Sequence, residues 1–305
     1  MKFEDLIITE GNNHSETGYF HFEVKDNFPK SRGHGTDSNK NTALTKSLHE
    51  YIERLYFNEY FHTKVSQSEP LTSNGFACHL TNEMAVKSAE CELFERDILI
   101  SHWIEKIPSY WLFNSDLNKY TSKEIVNTLE KLLKLGFDFQ IGIMAEVNKN
   151  IVMVGKIKLT NPLCGYVIVS ACDESIQKTI PKIVNDFIRV ADLLLGRLKN
   201  NLNLFKKLDE SQVVRPEDHL EFYLNPTNWE NNSWFLESAN EIKSYQFNSS
   251  EFRSQKSSKI LSWTHYIVQS QNNQLQQLFF GKTNENKINF KRIQKILNWG
   301  LHPLA

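Results

Sequence analysis

Long apolar runs, a large net charge and paired cysteines are all missing from this sequence. No run of about 18 or more apolar residues occurs, so no membrane-spanning helix is predicted. The formal net charge is −1, which gives no long-range field to attract nucleic acid or an anionic membrane. The four cysteines have neither C-x-x-C pairing nor zinc-ligand spacing, which argues against a disulfide framework and a zinc site.

The start of the chain and its cysteines predict the compartment. The first residues, MKFEDLIITEGNNHSE, carry acidic side chains where an export signal needs apolar ones. Cysteines without an obvious pairing pattern are typical of a reducing compartment. We therefore predict a cytoplasmic protein that has neither a nucleic-acid nor a membrane partner.

The composition is that of a folded protein with a sizeable core. Hydrophobic residues make up 40% and charged residues 23% of the 305 residues. Apolar residues at helical spacing predict helices over 42–61 and 82–106. Strand-like runs over 137–147, 150–159 and 165–172, joined by short turns, predict antiparallel neighbours.

The remaining segments predict shorter or less regular elements. Residues 28–41 are polar and contain two glycines, which predicts a loop. A helix is predicted over about 175–199, with a regular start near Thr179 because Pro181 disfavours an earlier one. Beyond residue 200 the patterns predict a helix over 216–224, strands over 261–269 and 275–281, and a helix over 288–298. We predict one α+β domain over residues 1–305, with mostly antiparallel sheets packed against helices.

One short charge motif occurs twice. SLHEYIERLYF, residues 47–57, and SAECELFERDIL, residues 88–99, both contain Glu-x-x-Glu-Arg among apolar residues. Side chains three residues apart share one face of a helix. The motif residues are Glu50, Glu53 and Arg54 in the first copy, and Glu92, Glu95 and Arg96 in the second.

Two interpretations of the doubled motif are open. Charge clusters at this spacing are ordinary on solvated helix surfaces. Alternatively, four carboxylates from two helices form a hard-oxygen site for Mg²⁺, with the arginines as planar forks for phosphate oxygens. Because both copies lie within apolar sequence, the pair supports the second interpretation more strongly than a single copy would.

The segments around both motifs resemble the nucleotide-site segments of the YcaO family. GHGTDSNKNTALTKSLHEYIERLYFNEYF, residues 33–61, resembles the first segment, and SNGFACHLTNEMAVKSAECELFERDILISHW, residues 73–103, resembles the second. Residues 215–237, 275–282 and the terminal NWGLHPLA resemble C-terminal segments of the azoline-forming members. The resemblance implies a YcaO-like α+β fold whose match is looser from about 200 to 305.

The resemblance also implies a function. YcaO enzymes of this kind are ATP- and Mg²⁺-dependent cyclodehydratases that form azoline rings from Cys, Ser or Thr in a ribosomal precursor peptide. A leader-binding or E1-like partner protein would supply recognition of the peptide, in a homodimer or a heteromeric complex.

The family's site residues transfer onto this chain by motif. Glu50, Glu53, Glu92 and Glu95 would hold Mg²⁺ and orient ATP, while Arg54 and Arg96 would contact phosphates or brace the carboxylates. Lys182 falls where the family has a phosphate-binding arginine, and Asp186 where it has a glutamate. The alternative for the last two is an i,i+4 surface pair.

The C-terminal tail and two other histidines are further candidates. If the tail reaches the active site, as in related enzymes, His302 and the carboxylate of Ala305 would deprotonate the attacking group or assist elimination; a frayed end is the alternative. His219 is a proton shuttle or a structural helix histidine. His34, between two glycines, is a phosphate contact or a loop residue.

Several expected polar positions are apolar in this chain. Ala77, Leu80, Met84 and Ser88 stand where the family usually has Ser, Asn, Glu and Gln. Ala, Leu and Met side chains cannot hydrogen-bond a phosphate, and the neighbouring Glu83 is turned about 100° away on a helix. Three hypotheses therefore remain open: an active cyclodehydratase, a degenerate non-catalytic subunit acting as scaffold or substrate-presenting partner, and a binding protein with acidic surface helices.

Overall fold

Helices and mostly antiparallel strands make up the part of the chain that the computed structural model describes, residues 6–11, 17–26, 31–64, 74–260 and 263–303. The α-helices are α1 Lys40–Lys64, α2 Asn82–Glu105, α3 Asn114–Tyr120, α4 Lys123–Lys134, α5 Ile176–Lys199 and α6 Pro216–Leu224. The strands are β1 Ile7–Glu10, β2 Phe20–Lys25, β3 Arg32–Asp37, β4 Phe76–His79, β5 Tyr110–Trp111, β6 Phe137–Val147, β7 Asn150–Leu159, β8 Val167–Asp173, β9 Lys243–Tyr245, β10 Glu251–Ile260 and β11 Trp263–Gln271. None of the helices in these described ranges combines the length and apolar composition that a membrane span requires.

Contacts divide the chain into two compact units. Unit 1 consists of Met1–Leu93 and Ser249–Asn272, and unit 2 of Phe94–Asn248 and Asn273–Ala305. Each unit is assembled from two stretches of sequence. The prediction of one domain over residues 1–305 stays a prediction.

Unit 1 contains two three-stranded antiparallel sheets. Their strand orders are β1-β2-β3 and β10-β11-β4. One apolar core lies between helix α1 and these strands and includes Val24, Leu48, Ile52 and Ile267. The helix that carries the first motif is thus held by its apolar face, and its charged residues lie outside that core.

The predicted loop over 28–41 is wrong at β3. Residues Arg32–Asp37 pair with β2, so that Gly33 lies opposite Val24 and Gly35 opposite Phe22. A Cβ atom on Gly35 would lie 1.9 Å from the Ala43 carbonyl oxygen, and one on Gly33 would lie 2.0 Å from that of Ser47. The glycines therefore allow α1 to pack directly on the strand, and His34 between them is exposed on the other face.

Unit 2 is built on the sheet β5-β6-β7-β8, with β9 paired parallel to β6. The antiparallel pairing predicted for the three central strands is confirmed. Helix α5 covers one face, where a Cβ atom on Gly155 would lie 2.6 Å from Ile183 and Phe187 side-chain atoms.

Helix α5 starts earlier than predicted. Its first residue is Ile176, because the Ser175 side chain accepts a hydrogen bond from the Lys178 amide and caps the helix. Pro181 lies inside the helix. The cap sets the start, and the proline removes one backbone donor without ending the helix.

The C-terminal segment differs most from prediction. Helix α6 matches the predicted 216–224, and β11 lies two residues later than predicted. The predicted strand 275–281 and helix 288–298 are wrong, since among the described residues after β11 the regular structure is a 3-10 turn at Glu285–Lys287. The amides of Leu297 and Asn298 bond to the Ile104 carbonyl of α2 at 2.9 Å. Backbone groups of this segment are thus satisfied by tertiary contacts, which leave no periodic pattern in the sequence.

Candidate functional site

In the first motif, Glu50 accepts hydrogen bonds from two groups on the surface of unit 1. Arg54 Nη2 donates to Glu50 Oε1 at 2.5 Å, one turn apart on α1. The backbone amide of His34 donates to Glu50 Oε2 at 2.7 Å. Both oxygens of Glu50 therefore already accept hydrogen bonds from the protein.

The other two motif carboxylates of unit 1 lie on different helices. Glu53 lies on α1 near Cys78 of β4, and burial, followed by the Glu53 charge, raises the pKa of the Cys78 thiol. Glu92 is partly buried on α2. Their assignment to Mg²⁺ stays a prediction.

The second motif places a largely buried carboxylate in unit 2. The Glu95 side chain is 15% exposed. Ser170 Oγ, on strand β8, donates to Glu95 Oε1 at 2.8 Å. Arg96 Nη1 lies 3.1 Å from the same oxygen. Within the part of the chain that the structure describes, both of these contacts are made by Oε1, which leaves Oε2 for a further ligand.

Two residues of α5 act on the same carboxyl. Burial has the largest effect and raises the pKa of Glu95. The Arg96 charge and the Ser170 hydrogen bond lower this pKa. Of the two α5 residues, Asp186 raises it and Lys182 lowers it. These five side chains come from α2, β8 and α5, so the fold of unit 2 brings the predicted Glu95, Arg96, Lys182 and Asp186 together. Ser170 was missed, because a serine inside an apolar strand gives no signal in the sequence.

Lys182 and Asp186 also have structural partners. Lys182 Nζ donates to the Cys172 carbonyl at 2.8 Å and lies 2.9 Å from Asp173 Oδ2. Asp186 lies 3.1 Å from Arg189 on the same helix. Lys182 is about half exposed, so its ammonium group is accessible to an anion.

The four positions that differ from the family pattern have different surroundings. Ala77 is buried in strand β4. Leu80 and Met84 are exposed, at 38% and 48%, and Ser88 is exposed on α2. Two large apolar side chains thus face solvent where the family resemblance leads us to expect polar ligands.

His302 and His219 link the C-terminal tail to α6. The Gly281 amide donates to His219 Nε2 at 3.0 Å, so the proton of the neutral ring is on Nδ1, which donates to the His302 carbonyl at 2.8 Å. The two rings stack with centroids 4.4 Å apart, and His302 Nε2 bonds to the Phe279 carbonyl.

Both histidines are fully buried, and burial lowers the pKa of each. This arrangement matches the structural interpretation of His219. Proton transfer by His302 stays a prediction, and Ala305 lies outside the described residues.

The donor set of unit 2 fits the way in which proteins bind Mg²⁺ with a nucleotide. Among the residues that the structure describes, no three His, Cys, Asp or Glu side chains are arranged to hold a metal ion by themselves. Mg²⁺ at nucleotide sites usually takes one or two carboxylates and completes its shell with phosphate oxygens and water. Glu95 Oε2 is a suitable single carboxylate ligand of this kind.

We expect Glu95→Gln to stabilise the protein in the absence of ligands. The raised pKa of Glu95 means that ionisation is less favourable in the folded protein than in the unfolded chain, so the charged group reduces stability at neutral pH. The neutral amide should raise the free energy of unfolding by about 1 kcal/mol. Urea unfolding at pH 7.5 measures this, with the exposed Glu130→Gln on α4 as control; a less stable Glu95 variant would contradict the burial argument.

Comparison with known proteins supports the fold. No protein-family model matches the sequence, and no curated protein matches it. The fold is similar to that of YcaO from Methanopyrus kandleri bound with AMPPCP and Mg2+, with a TM-score of 0.62 and 10% identity over 93% of this chain and 91% of that chain.

Two further structures are similar. A chain of the E. coli microcin synthetase McbBCD complex has a TM-score of 0.62 and 10% identity, over 98% of this chain and 96% of that chain. A heterocyclase in complex with substrate and cofactor has a TM-score of 0.61 and 10% identity, over 87% of this chain but only 49% of that longer chain. The predicted YcaO-like α+β fold is therefore confirmed.

Proposed function

We propose that the chain is a YcaO-type cyclodehydratase subunit that uses ATP and Mg²⁺ to activate a backbone amide in a ribosomal precursor peptide. The observation that carries this proposal is the largely buried Glu95 carboxylate beside Arg96, Lys182 and Ser170. A buried carboxylate is unfavourable without a cation or donors to compensate it. The similarity in fold to a YcaO protein bound with AMPPCP and Mg2+ supports a nucleotide-associated Mg²⁺ as that cation.

The proposed reaction joins ring closure to phosphate release. A Cys, Ser or Thr side chain of the peptide attacks the carbonyl carbon of the preceding amide, loses its proton and gives a hemiorthoamide. The former amide oxygen then takes the γ-phosphoryl group of ATP and leaves as phosphate, while the nitrogen loses its proton to form the azoline. Because the amide oxygen alone is a poor leaving group, the phosphoryl transfer makes the dehydration feasible.

The residues contribute position and charge. Mg²⁺, when bound, neutralises phosphate charge during transfer. Glu95 offers Oε2 to the cation, and Arg96 and Lys182 offer N–H donors to phosphate oxygens. Glu50, Glu53, Arg54 and Glu92 enter the proposal through their motif. A leader-binding or E1-like partner would present the peptide, in line with the assembly named for the McbBCD structure.

A second candidate function is a non-catalytic subunit that presents the peptide within a modifying complex. The observation that favours it is the exposure of Leu80 and Met84 at the start of α2. Apolar side chains there cannot ligate a cation, and exposed apolar groups are commonly used in protein contacts. This candidate predicts normal folding, partner binding and no phosphate release.

We expect MgATP at millimolar concentration to raise the melting temperature of the wild-type protein by a few degrees. A ligand present at a hundredfold excess over its Kd stabilises the native state by about 2.7 kcal/mol. Glu95→Gln and Glu53→Gln should each reduce the shift, and the double variant should abolish it. Glu130→Gln on the exposed face of α4 should keep it, and ATP with a chelator should give little shift.

Three outcomes would decide between the candidates. If wild-type protein shows no shift with MgATP, alone and with its partner proteins, the enzyme proposal is wrong. If MgATP binds but a cognate peptide undergoes no loss of water with phosphate release, the presenting-subunit function is favoured. Phosphate released in a one-to-one ratio with dehydrated peptide would exclude that second candidate.

A further inference from the structure

Arg292 and Asp97 form a buried ion pair that no motif assignment uses. Arg292 Nε lies 3.1 Å from Asp97 Oδ1 and 3.0 Å from Oδ2. The Arg292 side chain is 8% exposed and the Asp97 side chain is fully buried. Asp97 directly follows Arg96 on α2 and so lies beside the second motif.

Both residues of the pair have further contacts. Arg292 Nη2 donates to Ser101 Oγ at 3.0 Å, and the amide of Gln276 donates to Asp97 Oδ1 at 2.7 Å. The guanidinium carbon lies 4.6 Å from the ring centroid of Tyr245, a favourable cation–π contact. The planar fork of arginine satisfies the two acceptors on α2 together, which a lysine ammonium cannot do with the same geometry.

The contacts continue along one stripe of α2. Ser101 follows Asp97 by four residues, and Ile104 and Glu105 follow Ser101 by three and four, so all of them lie on one side of the helix. Glu105 Oε1 accepts from the amides of Gln294 and Lys295 at 3.0 and 3.4 Å. The irregular segment over 273–303 is therefore attached to α2 by a row of polar contacts that begins with the ion pair at Asp97.

The same segment ends near the second motif. The charge of Arg96 is close enough to His302 to contribute to lowering the pKa of that histidine. Glu95 and Arg96 thus lie on a helix that bears the irregular segment on one stripe, and the end of the segment lies close to Arg96. Any shift of the segment along α2 would alter the surroundings of both motif residues.

We propose that Asp97 and Arg292 are positioning residues for the nucleotide site: they clamp the 273–303 segment on α2 and thereby hold Glu95 and Arg96 in their binding geometry. The role rests on the proposed function, because it is defined by MgATP binding. Removing residues that orient a ligand-binding shell typically costs 10- to 100-fold in affinity.

Arg292→Lys tests the clamp because it keeps the positive charge but loses the planar guanidinium group that bonds to Asp97 and Ser101 together. We expect MgATP affinity, measured by calorimetry well below the melting temperature, to fall by about 10-fold or more. Arg215→Lys, an exposed arginine paired with Asp218 on α6, is the matched control and should bind as the wild type does. Leu132→Ala in the core of α4 is the control for destabilisation alone.

Hydrogen exchange supplies a readout that does not need ATP. In Arg292→Lys the amides of Gln294, Lys295, Leu297 and Asn298, and those of Glu95 and Arg96, should exchange faster than in Leu132→Ala of similar stability. Wild-type affinity in Arg292→Lys, or an equal loss in Leu132→Ala, would overturn the positioning role. If the wild type fails to bind MgATP, the proposed function is wrong. In that case unchanged exchange at Glu95 and Arg96 in Arg292→Lys would overturn the clamp as well. Faster exchange there would support the clamp on its own.

Discussion

Gly35→Ala is expected to destabilise the protein by about 3 kcal/mol or more, near the upper end of what overpacking costs. The added Cβ would lie 1.9 Å from the Ala43 carbonyl oxygen and 2.6 Å from the Ser47 amide nitrogen. Both atoms belong to the backbone of α1, so no side-chain rotation can relieve the clash. The helix that carries Glu50 and Arg54 would have to move away from β3.

The neighbouring residue provides a matched control. His34→Ala changes the same strand on its exposed face, and surface substitutions usually change stability by less than about 0.5 kcal/mol. Gly196→Ala on α5, where nothing lies within 4 Å of the new atom, should stabilise the protein by about 0.5–1 kcal/mol. Chemical unfolding of the three variants tests the packing, and an unchanged midpoint for Gly35→Ala would contradict the contact between α1 and β3.

This contact also explains one failure of sequence prediction. Alternation of glycine with polar residues over Arg32–Asp37 is typical of a loop, because glycine is unfavourable in strands. Here the glycines have a packing role that only the position of α1 reveals. By contrast, α2 and the antiparallel pairing of β6, β7 and β8 were predictable, since strong periodicity and short turns determine them locally.

The candidate site was predictable only in part. The repeated motif led to Glu95 and Arg96 as candidates, and the family resemblance added Lys182 and Asp186. Ser170 donates to Glu95 from a strand 75 residues away, so its role depends on the tertiary fold. Arg292 and Asp97 were missed for the same reason, because a buried ion pair between distant segments leaves no local pattern.

The two copies of the motif differ in how their glutamate oxygens are hydrogen-bonded. Both oxygens of Glu50 accept hydrogen bonds from the protein, whereas the contacts of Glu95 with described residues are both made by Oε1. A cation therefore meets less competition at Glu95 than at Glu50. For this reason we assign the larger share of the MgATP-dependent stabilisation to Glu95, and Glu95→Gln should reduce the shift more than a substitution at Glu50.

Acidification below pH 6.5 is expected to destabilise the protein through two uncharged histidines, one buried and one half-buried. Burial lowers the pKa of His102 to about 3, with smaller contributions from Arg292 and Lys243. Burial, His79 and His265 lower the pKa of His49 to about 3. An unfolded chain has a histidine pKa near 6.5, so between pH 6.5 and 3 the unfolded state binds protons that the native state does not. Each such group lowers the free energy of unfolding by about 1.4 kcal/mol per pH unit in that window.

Carboxyl groups act in the opposite direction and have to be separated from the histidines. Burial raises the pKa of Asp97 to about 6 and raises that of Glu95, so protonation of these groups on acidification favours the native state. His49 lies on α1. The carboxyl contributions are the same in the wild type and in His49→Gln, so they cancel when the two proteins are compared. The difference in unfolding free energy between the two proteins should be constant above pH 7, where the histidine is neutral in both states. Below pH 6.5 it should change by about 1.4 kcal/mol per pH unit in favour of the variant. Parallel curves from pH 7.5 down to 5 would mean that His49 takes up its proton in the native state, and the argument that His49 is neutral in the folded protein would be wrong.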